Sequence, residues 1–374
     1  MIERIHPLIA SIPLTKTAPA QIYAKEMDEQ LFIKLKAGGY EGWGEILAAA
    51  ANTREPYIAL VNRIGNNLLG RNESEVEHIW ELMRKMTFAG GYGIATGAIS
   101  GIDIALWDIA GKKRKLPICK ILGGQRPVKR YASLSRYKDI FDLKVVISKL
   151  LDSGYRMMKL HQPPGETLEH VKVIRKELGY DFELAVDLNC GFRYQAARNF
   201  VRKVQRFELK WVEEPVWPPD DYHSLKKLNK LGPVAAGENF FSVFEYKRLL
   251  EDDALSYYQP DVTKIGGITA VIELLTLFRR YGVLVAFHNR PLNGWIGITA
   301  SSHLASATDL DCVIETPPNE LPTGYFGFSG TINTKTIVVG GPGLGISPKE
   351  PLPQSRGRRW NLTRIRALTK LTRQ

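Results

Sequence analysis

Seven polar residues recur at nearly even intervals through the second half of the chain: His161, Asp187, Glu213, Glu238, Asp261, His288 and Glu315. The steps between them are 26, 26, 25, 23, 27 and 27 residues. Each closes a short apolar run, as in RMMKLH, ELAVDL, KWVEE, PVAAGE, SYYQPD, LVAFH and DCVIE. A parallel strand needs a long crossover before the next can return beside it, and one strand plus one helix fills such a period. When eight such units close into a barrel, the C-terminal strand ends converge on one rim, where barrel enzymes place their catalytic groups. The ladder therefore predicts an α/β barrel with a ring of acids and histidines around one pocket.

A chain of 374 residues suits one large barrel plus a smaller domain. Hydrophobic content of 44% and a charged fraction of 24% are ordinary for a soluble globular protein. No uninterrupted apolar run of bilayer-spanning length is evident, so no membrane association is expected. The N-terminus, MIERIHPLIASIPL, carries an acid at position 3 and prolines in its apolar stretch, which makes a poor signal peptide. Cys119, Cys190 and Cys312 are few, odd in number and far apart, giving neither a disulfide framework nor a CxxC metal site. A reducing, cytoplasmic setting is the expectation.

The net charge of +12 invites a nucleic-acid reading, but its distribution argues against one. The tail from Arg356 to Gln374 carries Arg356, Arg358, Arg359, Arg364, Arg366, Lys370 and Arg373 and no acid. It could touch RNA, an acidic surface or a partner. It also reads as a solvated terminal helix, because Leu362, Ile365, Leu368 and Leu371 recur at helical spacing. Nucleic acid is therefore not the expected partner.

Residues 1 to about 125 do not follow the period. IERIHPLIASIPL and EQLFIKLKAGGYEGWGEI predict antiparallel strands around Gly-rich turns. REPYIALVNRIGNNLLG, SEVEHIWELMRKM and TGAISGIDIALWDIAGKKRK predict helices, the first stopped at Gly70 and the second capped by Ser74. The repeating units begin near Arg130, with YASLSRY as first strand and DCVIE as eighth, and amphipathic segments between. TKTIVVGGPGLGI reads as a strand returning to the first domain.

Asp187, Glu213 and Glu238 come from consecutive units, so they are expected as neighbours on the rim. Three clustered carboxylates are costly unless protonated or bound to a cation. An all-oxygen set suits a hard divalent ion, Mg²⁺ first and Mn²⁺ second. Acids after strands also cap helices, but the regular spacing favours the metal reading. Glu214 points off the strand the other way and is expected to support the site from outside. Lys159 and His161 stand two apart, hence on one face. His288 with Asp261 has the makings of a dyad in which a carboxylate fixes the imidazole.

The motif order KxH, DLN, WVEEP, GEN, QPDxxKIGG, AFHN and VIE resembles the enolase superfamily, specifically its mandelate racemase-like branch. The resemblance spans nearly the whole chain, including GWGE and SGIDIALWDIAG, and stops near Pro353. It implies a modified TIM barrel, (β/α)7β, over residues 126–329. It also implies an α+β capping domain over 1–125, completed by 330–353, with 354–374 left as a basic tail. The metal ligands implied are Asp187, Glu213 and Glu238, for Mg²⁺ with Mn²⁺ as the alternative. The shared step of the family is removal of the proton next to a carboxylate, with a Lys or His base and Mg²⁺ stabilising the developing enediolate. Glu315 matches an acid that contacts the substrate carboxylate, Asn189 a substrate-binding Asn, and Lys264 a pocket lysine that is the base in the sister branch.

One departure matters. The branch usually has KxK where this chain has Lys159-Leu160-His161, so His161 either replaces the base or contacts substrate. The leading expectation is dehydration of a sugar acid to a 2-keto-3-deoxy acid, by a lyase whose base side is Lys159, His161 or Lys264 and whose acid is His288. Racemisation or epimerisation next to a carboxylate is the runner-up, and a non-catalytic ligand- or RNA-binding barrel is third. Arg136, Arg193 and Arg290 follow strand ends and read either as binders of substrate hydroxyls or a second carboxylate, or as loop charges. Loops near Leu14–Ala24 and Leu47–Thr53 are expected to cover the barrel mouth, with Lys16 and Tyr23 as substrate contacts. A homo-oligomer is expected. His6, His78, His170, His223 and His303 end no ladder strand and read as packed or surface residues, and Trp80 and Trp107 as core.

Overall fold

The structure is a computed structural model that describes residues 1–12, 29–47, 51–134, 136–137, 140–289, 294–318, 321 and 323–353. The first domain opens with an antiparallel sheet of β1 (Ile2–Ser11), β2 (Glu29–Ala37) and β3 (Tyr40–Ile46). Helices α1 (Ala51–Leu68), α2 (Val76–Thr87) and α3 (Ile94–Arg114) follow, with a short α4 (Ile118–Ile121). By length and composition α3 could pass for a membrane span, but Asp103 and Asp108 interrupt its apolar stretch. Of its apolar window 83% is buried inside the fold, so it serves as the core helix of this domain. Ser74 does not cap α2: Glu75 stands at that position without a side-chain bond, and Ser74 Oγ accepts from Lys113 Nζ at 2.9 Å.

The barrel is closed and all parallel. Its strands are β4 (Val128–Ser133), β5 (Met157–Leu160), β6 (Glu183–Asp187), β7 (Val212–Glu213), β8 (Val234–Ala236), β9 (Tyr257–Tyr258), β10 (Leu284–Phe287) and β11 (Cys312–Thr316). Each pairs with the next, and β11 returns to β4. The first strand thus starts two residues before Arg130 and stops at Ser133 rather than running through Tyr137. Seven helices alternate with these strands: α5 (Ile140–Asp152), α6 (Pro164–Leu178), α7 (Tyr194–Val204), α8 (Tyr222–Asn229), α9 (Val243–Glu251), α10 (Gly267–Tyr281) and α11 (Trp295–Ala307). The result is a modified TIM barrel, (β/α)7β, with an N-terminal capping domain.

Inside the barrel Tyr131, Met157, Ala185, Trp211, Ala235 and Ala286 pack into one buried cluster, with Tyr257 and Val313 against it. Alternate strand residues share a face, so the residues two further on form the next layer toward the C-terminal rim. That layer reads Ser133, Lys159, Asp187, Glu213, Gly237, Gln259, His288 and Glu315. An apolar floor therefore carries a polar ring above it.

After β11 come β12 (Phe326–Phe328), β13 (Thr331–Ile332), β14 (Thr336–Val338) and β15 (Ile346–Pro348). The TKTIVV segment does not return to the first domain as a strand: β14 pairs antiparallel with the start of β4. It is the turn beyond it that docks there, with Leu344 N donating to Asp108 Oδ1 on α3 at 2.9 Å.

The two halves of the fold meet at helix N-termini. Asp103 on α3 accepts from Thr269 N at 3.0 Å and Thr269 Oγ1 at 2.6 Å, at the first turn of α10. Glu45 on β3 accepts from Gly297 N at 2.9 Å, at the first turn of α11. Carboxylates belong at such ends, where unpaired N–H groups and the helix dipole favour negative charge. Trp107 Nε1 donates to Thr269 Oγ1 at 2.9 Å and Trp80 Nε1 to Gly266 O at 2.7 Å, so both tryptophans also tie the domains together. Gly267 has a φ of +86°, and a Cβ there would stand 2.3 Å from Asp103 Oδ2.

Candidate active site

Consecutive strands β5, β6 and β7 bring Lys159, Asp187 and Glu213 into the polar ring, and Asp187 and Glu213 are direct register partners. Glu238 arrives from the loop after β8. Gly237 lets it do so, because the backbone there has a φ of +144° and a Cβ would lie 2.8 Å from Gln259 O. Ligand oxygens of Asp187, Glu213 and Glu238 all lie within 4.8 Å of one another.

Lys159 is wholly buried among acids. Its Nζ lies 2.5 Å from Glu213 Oε1, 2.9 Å from Glu315 Oε1 and 3.4 Å from Asp187 Oδ2. Burial by itself would ease its proton off, but Glu213, Glu315 and Asp187 outweigh that and hold it as an ammonium. Burial raises the proton affinity of Glu213 and Lys159 lowers it, while Asp187, Glu315 and Glu238 raise it further. One lysine thus faces more carboxylates than it can neutralise. The second oxygen of Glu213 accepts from Trp211 Nε1 at 2.9 Å and Gln259 Nε2 at 2.6 Å, which fixes the carboxylate plane.

Among the described residues Asp187 Oδ2 is buried without a hydrogen bond, at 3.4 Å from Lys159 and 3.6 Å from His161. An all-oxygen trio, an orphaned carboxylate oxygen and excess negative charge fit a hard divalent cation that leaves positions open for substrate oxygens. Asp187, Glu213 and Glu238 are the residues that would hold it.

His288 follows β10 and lies between two carboxylates. Its Nδ1 is 2.7 Å from Asp261 Oδ2 and its Nε2 is 2.9 Å from Glu238 Oε2. Burial disfavours the imidazolium, yet Glu238 and Asp261 raise its proton affinity well above the usual histidine value. Glu238 responds in kind: burial would raise its carboxyl, but the cationic His288 holds it below the ordinary carboxylate range. Asp261 is itself fixed by Thr263, whose N and Oγ1 donate to Oδ1 at 2.8 and 2.6 Å. The ring orientation is therefore set from behind.

Lys264 Nζ donates to Asn239 Oδ1 at 2.9 Å and lies over the Phe241 ring. Asn239 Nδ2 in turn donates to both oxygens of Glu214, at 2.8 and 2.9 Å. Glu214 turns away from the acidic trio on a backbone with φ +40°. Burial, then Glu238 and Asp187, push its carboxyl up to about 8. His161 lies just past β5 with its Nε2 against Asn189 Oδ1, and Arg136 Nη2 donates to the same oxygen at 3.1 Å. Glu315 Oε2 accepts from the backbone N of Asn289 at 3.2 Å.

The structure thus brings Lys159, His161, Asp187, Asn189, Glu213, Glu238, Asp261, Lys264, His288 and Glu315 around one pocket. Lys16, Tyr23, Arg290, the Leu14–Ala24 loop, residues 48–50 of the Leu47–Thr53 loop and the basic tail lie outside the described residues, while residues 51–53 belong to the first turn of α1. Arg193 is exposed at the start of α7. Trp211, Gln259 and Asn239 were not anticipated. The first two were readable, since each stands two residues before a ladder acid, on the same strand face.

Comparison with known proteins agrees with this geometry. Residues 7–123 match the family "Mandelate racemase / muconate lactonizing enzyme, N-terminal domain". Residues 142–352 match "Enolase C-terminal domain-like". The chain is 30% identical over 297 residues to a 3,6-anhydro-alpha-L-galactonate cycloisomerase of Streptomyces coelicolor, covering 77% of this chain and 82% of that one. It is 30% identical over 290 residues to a D-galactonate dehydratase of Cronobacter sakazakii, covering 73% and 74%. Among solved structures it superposes with a TM-score of 0.80 on an L-talarate dehydratase from Polaromonas sp. JS666 complexed with Mg and L-glucarate, at 26% identity over 94% of this chain and 96% of that one. Fold, acidic trio and relatives converge: the chain belongs to the mandelate racemase/muconate lactonizing enzyme family of the enolase superfamily.

Proposed function

We propose that the protein is a Mg²⁺-dependent lyase that takes the proton α to the carboxylate of a sugar acid and expels an oxygen from the β-carbon, giving a 2-keto-3-deoxy acid. The observation that carries this reading is His288, held by Asp261 on one side and aimed at the acidic trio on the other, a setting that favours its protonated form. Both reactions need a proton-bearing group, since racemisation returns a proton to the opposite face and elimination protonates the departing oxygen; the relatives named as sugar-acid dehydratases favour elimination.

Mg²⁺ on Asp187, Glu213 and Glu238, with Mn²⁺ as a substitute, would supply Lewis-acid polarisation of the substrate carboxylate. Lys159 is buried and ringed by acids, so it stays charged and offers a positive site to that carboxylate rather than acting as base. Glu315 shares Lys159 and lines the same end of the pocket. His161, at the rim near Asp187, takes the α-proton. Lys264 is tied to Asn239 and serves as a second cation beside the trio. As the α C–H bond breaks, its electron pair forms the C=C bond and the β C–O bond breaks. The Nε2 proton of His288 goes to the departing oxygen, and the enol product tautomerises to the 2-keto acid.

The relatives support this class of chemistry, since two are dehydratases of sugar acids by name. The cycloisomerase relative fits the same steps if a ring ether oxygen leaves instead of a hydroxyl. Incubating a library of acid sugars with the Mg²⁺-loaded protein in D₂O, and reading both 2-keto acid and deuterium at the α-carbon, tests the reading. Deuterium gain with inversion and no keto acid would mean a racemase instead.

A further inference from the structure

Arg136 differs from Arg130 and Arg175, two buried arginines of the barrel. Arg130 donates to Thr316 Oγ1, Asn333 O, Tyr155 OH and Pro317 O. Arg175 gives four hydrogen bonds to the carbonyl oxygens of Phe207, Gly179, Phe182 and Glu208. Among the described residues Arg136 makes one, from Nη2 to Asn189 Oδ1, and its buried Nε finds no partner there. No described carboxylate pairs with it. A guanidinium carries five N–H donors in a rigid fork, so most of its binding capacity is unused here.

Its place in the barrel says what could use it. Arg136 follows β4, His161 follows β5 and Asn189 follows β6, so three successive strand ends converge on the Asn189 amide oxygen. Exposure rises along this path: the side chains of Lys159 and Asp187 are 0% and 1% exposed, that of His161 is 12%, and Asn189 is exposed. The cluster thus leads from the acidic trio outward to the mouth. At the floor, Lys159 and the trio serve the carboxylate next to the reacting carbon. A second cation at the outer end, with no carboxylate partner among the described residues, serves a second anion, and a guanidinium matches the planar geometry of a carboxylate better than that of a hydroxyl.

We propose that Arg136 reads a second carboxylate at the far end of the substrate, so that the sugar acid is dicarboxylic (an aldarate) rather than monocarboxylic (an aldonate). This rests on the sugar-acid reading above and narrows its substrate class.

The test uses full-length protein with Mg²⁺ and matched acids on one carbon skeleton: galactarate against galactonate, and glucarate against gluconate. Wild type should favour the diacid by roughly 10- to 100-fold in kcat/KM, the range of a charge-assisted hydrogen bond. Arg136→Gln should collapse that ratio mainly through a higher KM for the diacid, and Arg136→Lys should restore part of it. Thermal melts of each variant check that the fold is kept. Equal or better turnover of the monoacids by wild type, or a ratio unmoved by Arg136→Gln, overturns the proposal. If neither acid type gives a keto acid or α-deuterium exchange with wild type, the sugar-acid reading itself fails, because exchange reports the floor of the pocket.

Discussion

Asp103 on α3 holds both the backbone N–H and the hydroxyl of Thr269, at 3.0 and 2.6 Å, and so caps α10 from the other domain. The loop it anchors begins at Lys264, a cation of the pocket. Burial lifts the Asp103 carboxyl from 3.8 to about 7, with the bonds from Thr269 offsetting only part of that.

A raised carboxyl binds its proton more tightly in the folded chain than in the unfolded one. Its charge costs nothing at a pH below the unfolded value. The cost then grows as pH rises from about 4 to 7 and stays level above, at up to about 4 kcal/mol. Asp103→Asn keeps an oxygen acceptor but does not titrate. The melting temperature of this variant relative to wild type should therefore climb across that window and then flatten. A difference independent of pH would refute the role.

His288→Asn removes the proposed proton donor while keeping a polar side chain beside Asp261. Turnover to keto acid should fall by roughly 10²- to 10⁴-fold, the usual contribution of a positioned acid. The acid form of wild-type His288 is present at neutral pH and lost as pH rises through its elevated value, so wild-type kcat should decline on the alkaline side. Stopped-time assays of keto acid formation across pH check both expectations.

Lys159→Met takes one cation from a buried group of acids. Leaving Glu213 and Glu315 without it should cost about 3–5 kcal/mol of stability, the penalty typical of a broken buried pair. Urea unfolding in EDTA measures this.

Metal binding should stabilise the fold by mass action. Mg²⁺ at 100 times its dissociation constant adds about 2.7 kcal/mol, visible as a rise in melting temperature over EDTA. Asp187→Asn should shrink that rise, because the orphaned oxygen is on this residue. An undiminished rise would place the metal elsewhere.

Much of the ring was legible because burial and periodicity act together. A strand that feeds a pocket must change from apolar to polar at its C-terminal end, and the crossover length repeats. Features set by distant partners left no such trace. Ser74 looks like a helix cap in its local context, yet Lys113, 39 residues away, takes its hydroxyl. The apolar length of α3 is explained only by the fold, which packs it between the first-domain sheet and α10. Arg136 was ambiguous for the same reason, since only the fold brings Asn189 to it.

The closure of the barrel carries a further consequence. Glu315 sits on the last strand and shares its oxygen with Lys159 on the second, across the seam where β11 meets β4. A nascent chain that has emerged only as far as β10 therefore holds a lysine whose full set of counter-charges has not yet been synthesised. Docking of β11 shuts the sheet and brings the last of the acids around Lys159 in one event. Assembly of the pocket thus waits on the last barrel strand, and no partial barrel can present the finished site.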